Sequence, residues 1–316
     1  MKNTRTEAKS GFNQRYVKKF IFYVCLVLLP SIQFALCYVY VNLNSFILAF
    51  QKYTANEGAL GYTVTFANFE NFKTAWEIIK ESSYMLKNSM LMFVCKVGVG
   101  ITLALLFSFY IYKKYVMSGL FRVILFMPQI ISAVVFSLLF KYIVTDVYIY
   151  VAQEYFQATD VIGLLNNPET SLATTIFYNL WIGFGVNVLL FSGGMSAIDQ
   201  SLVESAELDG TNLIQEFVYI TVPMIWPTLV SFLILAVTGV FTDQMNLFTL
   251  FGNGANELSS FGYYLYINAS NADILPNSNG VDYSILSALG LMLTIVLFPT
   301  TLLIRNLLNR FGPSED

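Results

Sequence analysis

The residues in this sequence whose side chains could best serve a functional site are carboxylates and amides that lie in or beside long apolar stretches. Asp243, Gln244 and Asn246 fall inside one apolar block, and an acidic segment covers residues 195–223. Polar and ionisable groups inside a bilayer are costly, so such residues are functional candidates by default.

Metal, nucleotide and nucleic-acid chemistry find no support in the sequence. It contains no histidine, and Cys25, Cys37 and Cys95 lie in apolar blocks without metal-ligand spacing. No Gly-x-x-x-x-Gly-Lys-[Ser/Thr] motif occurs, so the chain has no phosphate-binding loop of its own. The net charge of −3 gives no reason to expect a nucleic-acid partner. We expect no catalytic residue, no metal site and no cofactor in this chain.

Long apolar helices must position these polar residues. Hydrophobic residues make up 56% of the 316 and charged residues 12%, whereas a soluble domain carries about 25% charged residues. A membrane-spanning helix needs about 20 mostly apolar residues. The blocks that reach this length are 20–48, 89–110, 120–141, 172–194, 225–250 and 283–304. The sequence predicts an all-α, polytopic membrane protein with about six transmembrane helices in a lipid bilayer.

The distribution of lysine and arginine predicts the orientation of these spans, because basic residues concentrate on the cytoplasmic side. Eleven basic residues fall on one side of a six-span arrangement: Lys2, Arg5, Lys9, Arg15, Lys18, Lys19, Lys113, Lys114, Arg122, Arg305 and Arg310. Both termini are therefore expected in the cytoplasm. The predicted parts are a basic tail 1–19, a first transmembrane helix 20–50, an extracytoplasmic loop 51–88, a core 89–304 and a tail 305–316.

The acidic loop, residues 195–223, departs from this charge rule. By span counting it is cytoplasmic, yet it has no lysine or arginine and contains five acids: Asp199, Glu204, Glu207, Asp209 and Glu216. Apolar residues at helical spacing predict two short helices separated by Gly210, with Pro223 and Pro227 at the entry to the next span. Ser201 and Glu204 are spaced as a capping box. Amphipathicity alone would also fit an interfacial linker.

The residues of the acidic loop also carry a resemblance. Residues 204–210 read E-S-A-E-L-D-G, and residues 220–223 read I-T-V-P. This string resembles the EAA loop of the inner-membrane permease subunits of binding-protein-dependent ABC importers, which reads E-A-A, a glycine a few residues on, then I-x-L-P. Ser205 replaces the middle alanine, Val222 replaces leucine, and Asp199 stands where the carbohydrate branch often has proline.

Other segments resemble the same family in the same order along about residues 60–310. The matching positions are Phe66-Ala67-Asn68-Phe69, Asn88-Ser89, Phe121-Arg122, Met127-Pro128, Trp181 with Gly183, and Ala288-Leu289-Gly290. The weakest match is Gly252-Asn253-Gly254, where the family commonly has Gly-Gly-Pro. The order points to the carbohydrate-type branch, resembling the maltose and multiple-sugar permeases.

The resemblance implies a type I ABC importer transmembrane domain in the inner (plasma) membrane of a bacterium. The chain would be a non-catalytic subunit whose acidic loop docks on a separate ATPase that holds ATP and Mg. The implied coupling residues are Glu204, Ser205, Ala206, Asp209, Gly210 and Pro223. The implied partners are a second homologous permease subunit, two ATP-binding cassette subunits, a sugar substrate and an extracytoplasmic solute-binding protein that contacts intervals 51–88, 142–171 and 251–282.

The expected substrate path joins the fifth and fourth spans. Its candidate residues are Asp243, Gln244, Asn246, Trp181, Ile182, Gly183 and Val186. Asp243 could instead bond a neighbouring helix or pair with Lys96, whose long side chain could also reach the interface. Asn179 and Asn187 could equally join helices.

Two other functions fit less well than a permease for an oligosaccharide. One is an ABC permease for another neutral polar solute, such as a polyol derivative. The other is a secondary transporter, which would need inverted repeats and an ion site near the midplane.

Overall fold

The computed structural model describes residues 4–55, 62–271 and 282–313, and their side chains except at 4–15, 55 and 311. Lys2 and parts of the predicted loops 51–88 and 251–282 and of the tails lie outside the described residues. In chain order the helices are α1 (Thr4–Phe34), α2 (Val41–Leu48), α3 (Glu70–Glu81), α4 (Ser83–Cys95), α5 (Thr102–Tyr112), α6 (Ser118–Ile130), α7 (Ala133–Tyr142), α8 (Tyr148–Phe156), α9 (Pro168–Met195), α10 (Gln200–Leu208), α11 (Leu213–Glu216), α12 (Val222–Met224), α13 (Trp226–Thr242), α14 (Leu247–Phe251), α15 (Phe261–Asn271) and α16 (Tyr283–Phe311). Wider π-helical turns join several of them, at Ala35–Tyr40, Lys96–Ile101, Ile143–Val147 and Phe217–Thr221.

The prediction of an all-α membrane protein with about six spans is confirmed. Within the described residues, five helical stretches are long and apolar enough to cross a bilayer: Tyr16–Leu48, Ser83–Tyr112, Ala133–Phe156, Pro168–Met195 and Tyr283–Arg310. A sixth is formed if Leu213–Met224 and Trp226–Thr242, which meet at a bend of 72°, count as one broken span. The bend falls at Ile225, just after Pro223.

Pro128 is expected to kink the predicted third span, 120–141, and the structure divides this stretch into two helices. The structure ends α6 at Ile130, places Ile131 in an extended conformation and starts α7 at Ala133. Pro128 lies in the last turn of α6, where its missing N–H removes one helical hydrogen bond. The long apolar stretch then begins at Ala133 and continues through a π-helical turn to Phe156. Apolar composition gives no signal for such a break.

The chain forms two compact units, and the first contains Met1–Ala75 and Asp273–Leu291. Within it, strands β1 (Gln51–Ala55) and β2 (Tyr62–Phe66) pair antiparallel, with Gln51 opposite Phe66. The sequence predicts only an extracytoplasmic loop over this stretch. The buried Asn71 side chain holds the hairpin base, because its Nδ2 donates to the backbone oxygens of Ala49 at 2.9 Å and Gln51 at 2.8 Å.

The second unit contains Trp76–Ala272 and Met292–Asp316. Its largest apolar cluster gathers around α9, whose Val188, Phe191 and Met195 are almost fully buried against residues of α5 and α13. Burial on several sides explains why the fourth apolar block lacks a single hydrophobic face. This core fixes the ends of α5, α9 and α13, which carry the polar residues described below.

Asn71→Ala should loosen the hairpin, because two backbone oxygens lose their donor. We expect the hairpin to open more easily by about 1–2 kcal/mol, which raises amide hydrogen exchange across residues 51–66 about tenfold. Hydrogen-exchange mass spectrometry measures this directly. Lys52→Ala is the control, since the Lys52–Glu70 ion pair is exposed and contributes little. Equal exchange in both variants would contradict the role of Asn71.

Candidate functional site

The fifth apolar block contains a break in the helix at residues 243–246. Helix α13 ends at Thr242, and Asp243 is extended with φ −78° and ψ 122°. Met245 (φ 55°) and Asn246 (φ 52°) then adopt the left-handed conformation, which costs of order 1–3 kcal/mol each for such residues. Asp243 therefore lies at a helix break and not within a continuous fifth span. Irregular backbone at membrane depth occurs where it is buried in protein or lines a cavity.

Side chains replace the helical hydrogen bonds that the break removes. The Met245 N–H donates to Asp243 Oδ1 at 2.7 Å, and Asn179 Nδ2 donates to the Met245 oxygen at 2.8 Å. Asn246 Nδ2 donates to Asn179 Oδ1 at 2.8 Å, and the Ser260 hydroxyl donates to the Asp243 oxygen at 2.8 Å. Asn179 is thus both a helix-to-helix contact and the main support of the break.

Gly262, in the first turn of α15, allows a close backbone approach at the same place. A Cβ atom on Gly262 would lie 2.6 Å from the carbonyl carbon and oxygen of Asp243. Any larger residue would therefore push α15 away from the break. The first turn of α15 and the Asp243 peptide form one tightly packed unit.

Lys96 forms an ion pair and hydrogen bond with Asp243 Oδ2. It begins the π-helical turn Lys96–Ile101 between α4 and α5. Both side chains are partly exposed, 33% for Lys96 and 29% for Asp243. Of the two alternatives open for Lys96, the structure forms the ion pair with Asp243.

A polar cavity of about 350 Å³ lies beside this ion pair. Its polar lining comes from Lys96, Asn179, Asn187, Asp243 and Asn246. Of the residues expected in the path, Asp243, Asn246, Ile182 and Gly183 line the cavity. Opposite charges and several amides around one space provide donors and acceptors for a hydroxyl-rich solute without a net charge.

Three other residues expected in the path lie elsewhere. Trp181 packs its ring against aromatic neighbours, at 5.1 Å from Phe136 and 6.0 Å from Phe177 between ring centroids. Gln244 has a buried Oε1 that accepts no hydrogen bond within the described residues. Val186 is half-buried on α9 and does not line the polar cavity.

The acidic loop folds as two helices around Gly210, as expected. Gly210 adopts φ +82°, a conformation that a side chain would disfavour. The predicted capping box at Ser201 and Glu204 is wrong. Asp199 caps α10 instead, since its Oδ1 accepts from the Ser201 N–H at 2.9 Å. Hydrogen bonds from the Ser201 backbone and side chain lower the pKa of the Asp199 carboxyl.

A capping box forms instead at the start of the next helix, α11. The Asn212 side chain accepts from the Gln215 N–H, and the Gln215 side chain accepts from the Asn212 N–H, both at 2.9 Å. The two helices are thus capped independently on either side of Gly210. The loop therefore has a fixed internal structure rather than that of a flexible connection.

The coupling residues expected in the acidic loop lie mostly on its exposed side. Glu204 is exposed and accepts from Gln200 Nε2 at 2.9 Å, and Ser205 donates its hydroxyl to the Ser201 oxygen at 2.7 Å. Asp209 is exposed after the end of α10, whereas Ala206 and Pro223 are half-buried. None of these side chains forms a salt bridge within the described residues.

The apolar residues of the acidic loop point in two directions. Val203 is buried in the core of the second unit, and Phe217 packs against Phe109 of α5 with ring centroids 5.1 Å apart. Leu208 is 89% exposed, and Ile214 and Tyr219 are each 75% exposed. Leu202, Leu213 and Val218 are exposed as well.

Sequence reasoning missed the ion pairs that join this loop to α5. Lys113 Nζ lies 2.8 Å from Glu216 Oε2 and 3.2 Å from Glu207 Oε1. Burial lowers the pKa of Lys113, but the hydrogen bonds and charges of Glu216 and Glu207 outweigh burial and raise this pKa above the ordinary lysine value. The ammonium group therefore stays protonated at neutral pH. The sequence signal for these ion pairs was Glu216, an acid among the apolar residues of the second loop helix.

This geometry defines a class of protein: a polytopic helical membrane protein with a broken span beside a polar cavity. Residues 96–314 match the model of the binding-protein-dependent transport system inner membrane component. The chain therefore belongs to this family, which confirms the resemblance at that level. The family's description as an inner membrane component agrees with the apolar helices that are long enough to cross a membrane.

Individual relatives are similar over different lengths. The lactose transport system permease protein LacF of Rhizobium radiobacter is 28% identical over 57% of this chain and 63% of its own length. The arabinooligosaccharides transport system permease protein AraP of Bacillus subtilis is 24% identical over 86% of this chain and 83% of its own. A solved bacterial alginate ABC transporter, in complex with an alginate pentasaccharide-bound periplasmic protein, has a chain of similar fold, with a TM-score of 0.69, 20% identity, and coverage of 94% and 95%.

Asn179→Leu should destabilise the break, because the Met245 oxygen and the Asn246 amide lose their partner. The expected loss in the free energy of unfolding is about 1–3 kcal/mol. Thermal unfolding of the purified protein in detergent measures it. Asn187→Leu is the matched control, since Asn187 lines the same cavity but forms no side-chain hydrogen bond within the described residues. Similar melting of both variants would contradict the role of Asn179.

Proposed function

We propose that this chain is the permease subunit of an ATP-driven importer for a neutral sugar, most simply an oligosaccharide. The observation that carries the proposal is the polar cavity beside the helix break, in a chain whose family is defined by binding-protein-dependent transport. The cavity offers amide and carboxylate groups to a hydroxyl-rich solute. The relatives named for lactose and arabinooligosaccharides support a sugar.

The charge balance of the cavity supports a neutral solute. Lys96 and Asp243 neutralise each other, so neither sign of charge dominates the lining. A strongly anionic solute would favour unpaired basic groups in the path. The similar alginate transporter imports an acidic polysaccharide, and that likeness extends only to the fold.

The acidic loop is the proposed docking element for a separate ATPase. Leu208, Ile214 and Tyr219 expose apolar surface in the same loop as the exposed carboxylates of Glu204 and Asp209, neither of which forms an ion pair within the described residues. Exposed apolar side chains with a polar rim are typical of protein-binding surfaces. Glu204 would pair with a basic group on the ATPase, and Gly210 would permit the turn between the two docking helices.

The remaining parts follow from this arrangement. One chain with up to six spans would pair with a second, homologous permease to enclose the path. Two ATP-binding cassette subunits would bind ATP and Mg on the cytoplasmic side, where both termini and the acidic loop would lie. A solute-binding protein would deliver the sugar from outside, consistent with the family's name. This chain would carry no catalytic residue.

Reconstitution of the complete complex in vesicles tests the proposed function. Sugar uptake should require internal ATP and the loaded binding protein, and it should not change when ion gradients are dissipated. Uptake driven by an ion gradient without ATP would instead indicate a secondary transporter. Comparing neutral oligosaccharides, uronate oligosaccharides and polyol derivatives as stimulators of ATP hydrolysis identifies the substrate class.

Combining Glu204→Lys with Gly210→Asp should abolish transport and leave membrane insertion intact. The first change reverses the proposed contact charge, and the second places a side chain at φ +82°. Uptake and co-purification of the ATPase measure the effect. Arg310→Glu is the control, because it reverses an exposed charge outside the acidic loop. Normal uptake by the double variant would refute the docking assignment.

Asp243→Asn keeps an oxygen for the Met245 N–H but removes the charge that Lys96 binds. We expect a loss of uptake of about 10–100-fold, the range for a lost hydrogen bond to a charged group. The double variant Lys96→Met with Asp243→Asn removes both charges. If Asp243 binds the solute, this double variant assembles normally but still transports poorly. Restored uptake would assign Asp243 a purely structural role.

A further inference from the structure

Lys113 occupies a position between the two helices of the acidic loop. It is the residue that follows α5, so its positive charge also complements the negative end of that helix. Its ammonium group reaches Glu207 in the last turn of α10 and Glu216 at the end of α11. One side chain therefore contacts both sides of the Gly210 turn and ties them to the second span.

Glu216 shows why this contact is more than a surface ion pair. Its side chain is only 3% exposed. Its Oε2 binds Lys113, whereas its Oε1 accepts no hydrogen bond within the described residues. A buried carboxylate without a compensating charge is strongly unfavourable. Lys113 supplies the positive charge that offsets the cost of burying the Glu216 carboxylate.

Glu207 gives an independent indication. A carboxylate in the last turn of α10 faces the negative end of that helix, which is an unfavourable place for an acid. Its contact with Lys113 offsets this cost. Glu207 is also exposed, with 60% of its side chain accessible, so its contribution is the weaker of the two.

An apolar contact lies beside the ion pairs. Phe109, one turn before Lys113 on α5, packs against Phe217, which directly follows Glu216. The loop is thus joined to α5 by an aromatic contact and by a cation shared between two carboxylates. The aromatic contact holds only the second helix, whereas Lys113 contacts both.

We propose that Lys113 is a positioning residue that fixes the angle between α10 and α11 and joins both helices to α5, so that the acidic loop and the second span move as one body. The proposal rests on the proposed function, because this body is what would transmit ATP hydrolysis to the spans. Lys113 itself touches neither solute nor nucleotide. Its loss would leave the loop helices folded, since each keeps its own cap, but held to the rest of the unit only by apolar contacts such as those of Val203 and Phe217, which allow a wider range of angles.

The transport test compares two adjacent lysines. Lys113→Met should lower the amount of sugar imported per ATP hydrolysed by at least about fivefold, the lower end of typical coupling between sites. Lys114→Met is the matched control, because Lys114 is exposed and forms no ion pair within the described residues. Lys113→Arg should keep most of the wild-type ratio. An unchanged ratio in Lys113→Met, or an equal loss in both methionine variants, would overturn the proposal.

A second variant guards against simple misfolding. Lys113→Met leaves Glu216 buried without its cation, so it could fail to assemble for that reason alone. Lys113→Met combined with Glu216→Met removes the buried charge as well. This double variant should reach wild-type abundance yet keep the low ratio of import to hydrolysis. A wild-type ratio in it would show that the ion pair does not position the loop.

A distance measurement makes the test independent of transport. Spin labels at Leu202→Cys and Val116→Cys, two exposed positions, are introduced into the permease in the complete complex after its native cysteines are replaced. Lys113→Met should broaden the distance distribution, and Lys114→Met should not. An unchanged distribution refutes the tether even if ATP-driven uptake is normal. A broadened distribution without ATP-driven uptake supports the tether and refutes the proposed function instead.

Discussion

The requirement that every backbone polar group be satisfied inside the membrane governs this structure. A continuous helix meets it without help, but the segment 243–246 does not, because its backbone leaves the helical conformation. Side chains of Asn179, Asp243 and Ser260 supply the missing donors and acceptors. The same residues border the polar cavity or support its wall, so the site and the repair of the backbone are one network. Changing its chemistry without disturbing its fold is therefore difficult.

Two lysine–carboxylate pairs in this structure differ in how deeply they are buried. The Lys96–Asp243 pair is partly accessible, and separating an ion pair that water can reach costs comparatively little. The Lys113–Glu216 pair has one member almost fully buried, and separating it would expose an uncompensated charge to a poorly solvated site. Burial thus distinguishes a pair that can open from a pair that keeps its geometry. Charge alone would not separate them.

The sequence supported the helical membrane fold well, because long apolar blocks and basic flanks are strong, local signals. It also located the Gly210 turn, since glycine and proline mark such places directly. Pro128 indicated a kink in the third block, but the apolar composition gave no sign of the full break at Ile131 and Ser132. It placed the cap of α10 at Ser201 because the spacing of Ser201 and Glu204 fits, although Asp199 offers a carboxylate acceptor two residues earlier. Lys113 was invisible because its partner Glu207 is 94 residues away, and pairing over such a distance depends on packing.

The 72° bend at Ile225 has a mechanical consequence. Helix α13 has 17 residues, so its axis is about 25 Å long at 1.5 Å per residue. An elbow held by its own packing would act as the pivot of a lever of this length. A tilt of about 10° at the elbow would move the far end of α13 sideways by about 4 Å. That far end is Thr242, where the helix stops, so a small motion near the acidic loop would arrive enlarged at the rim of the cavity.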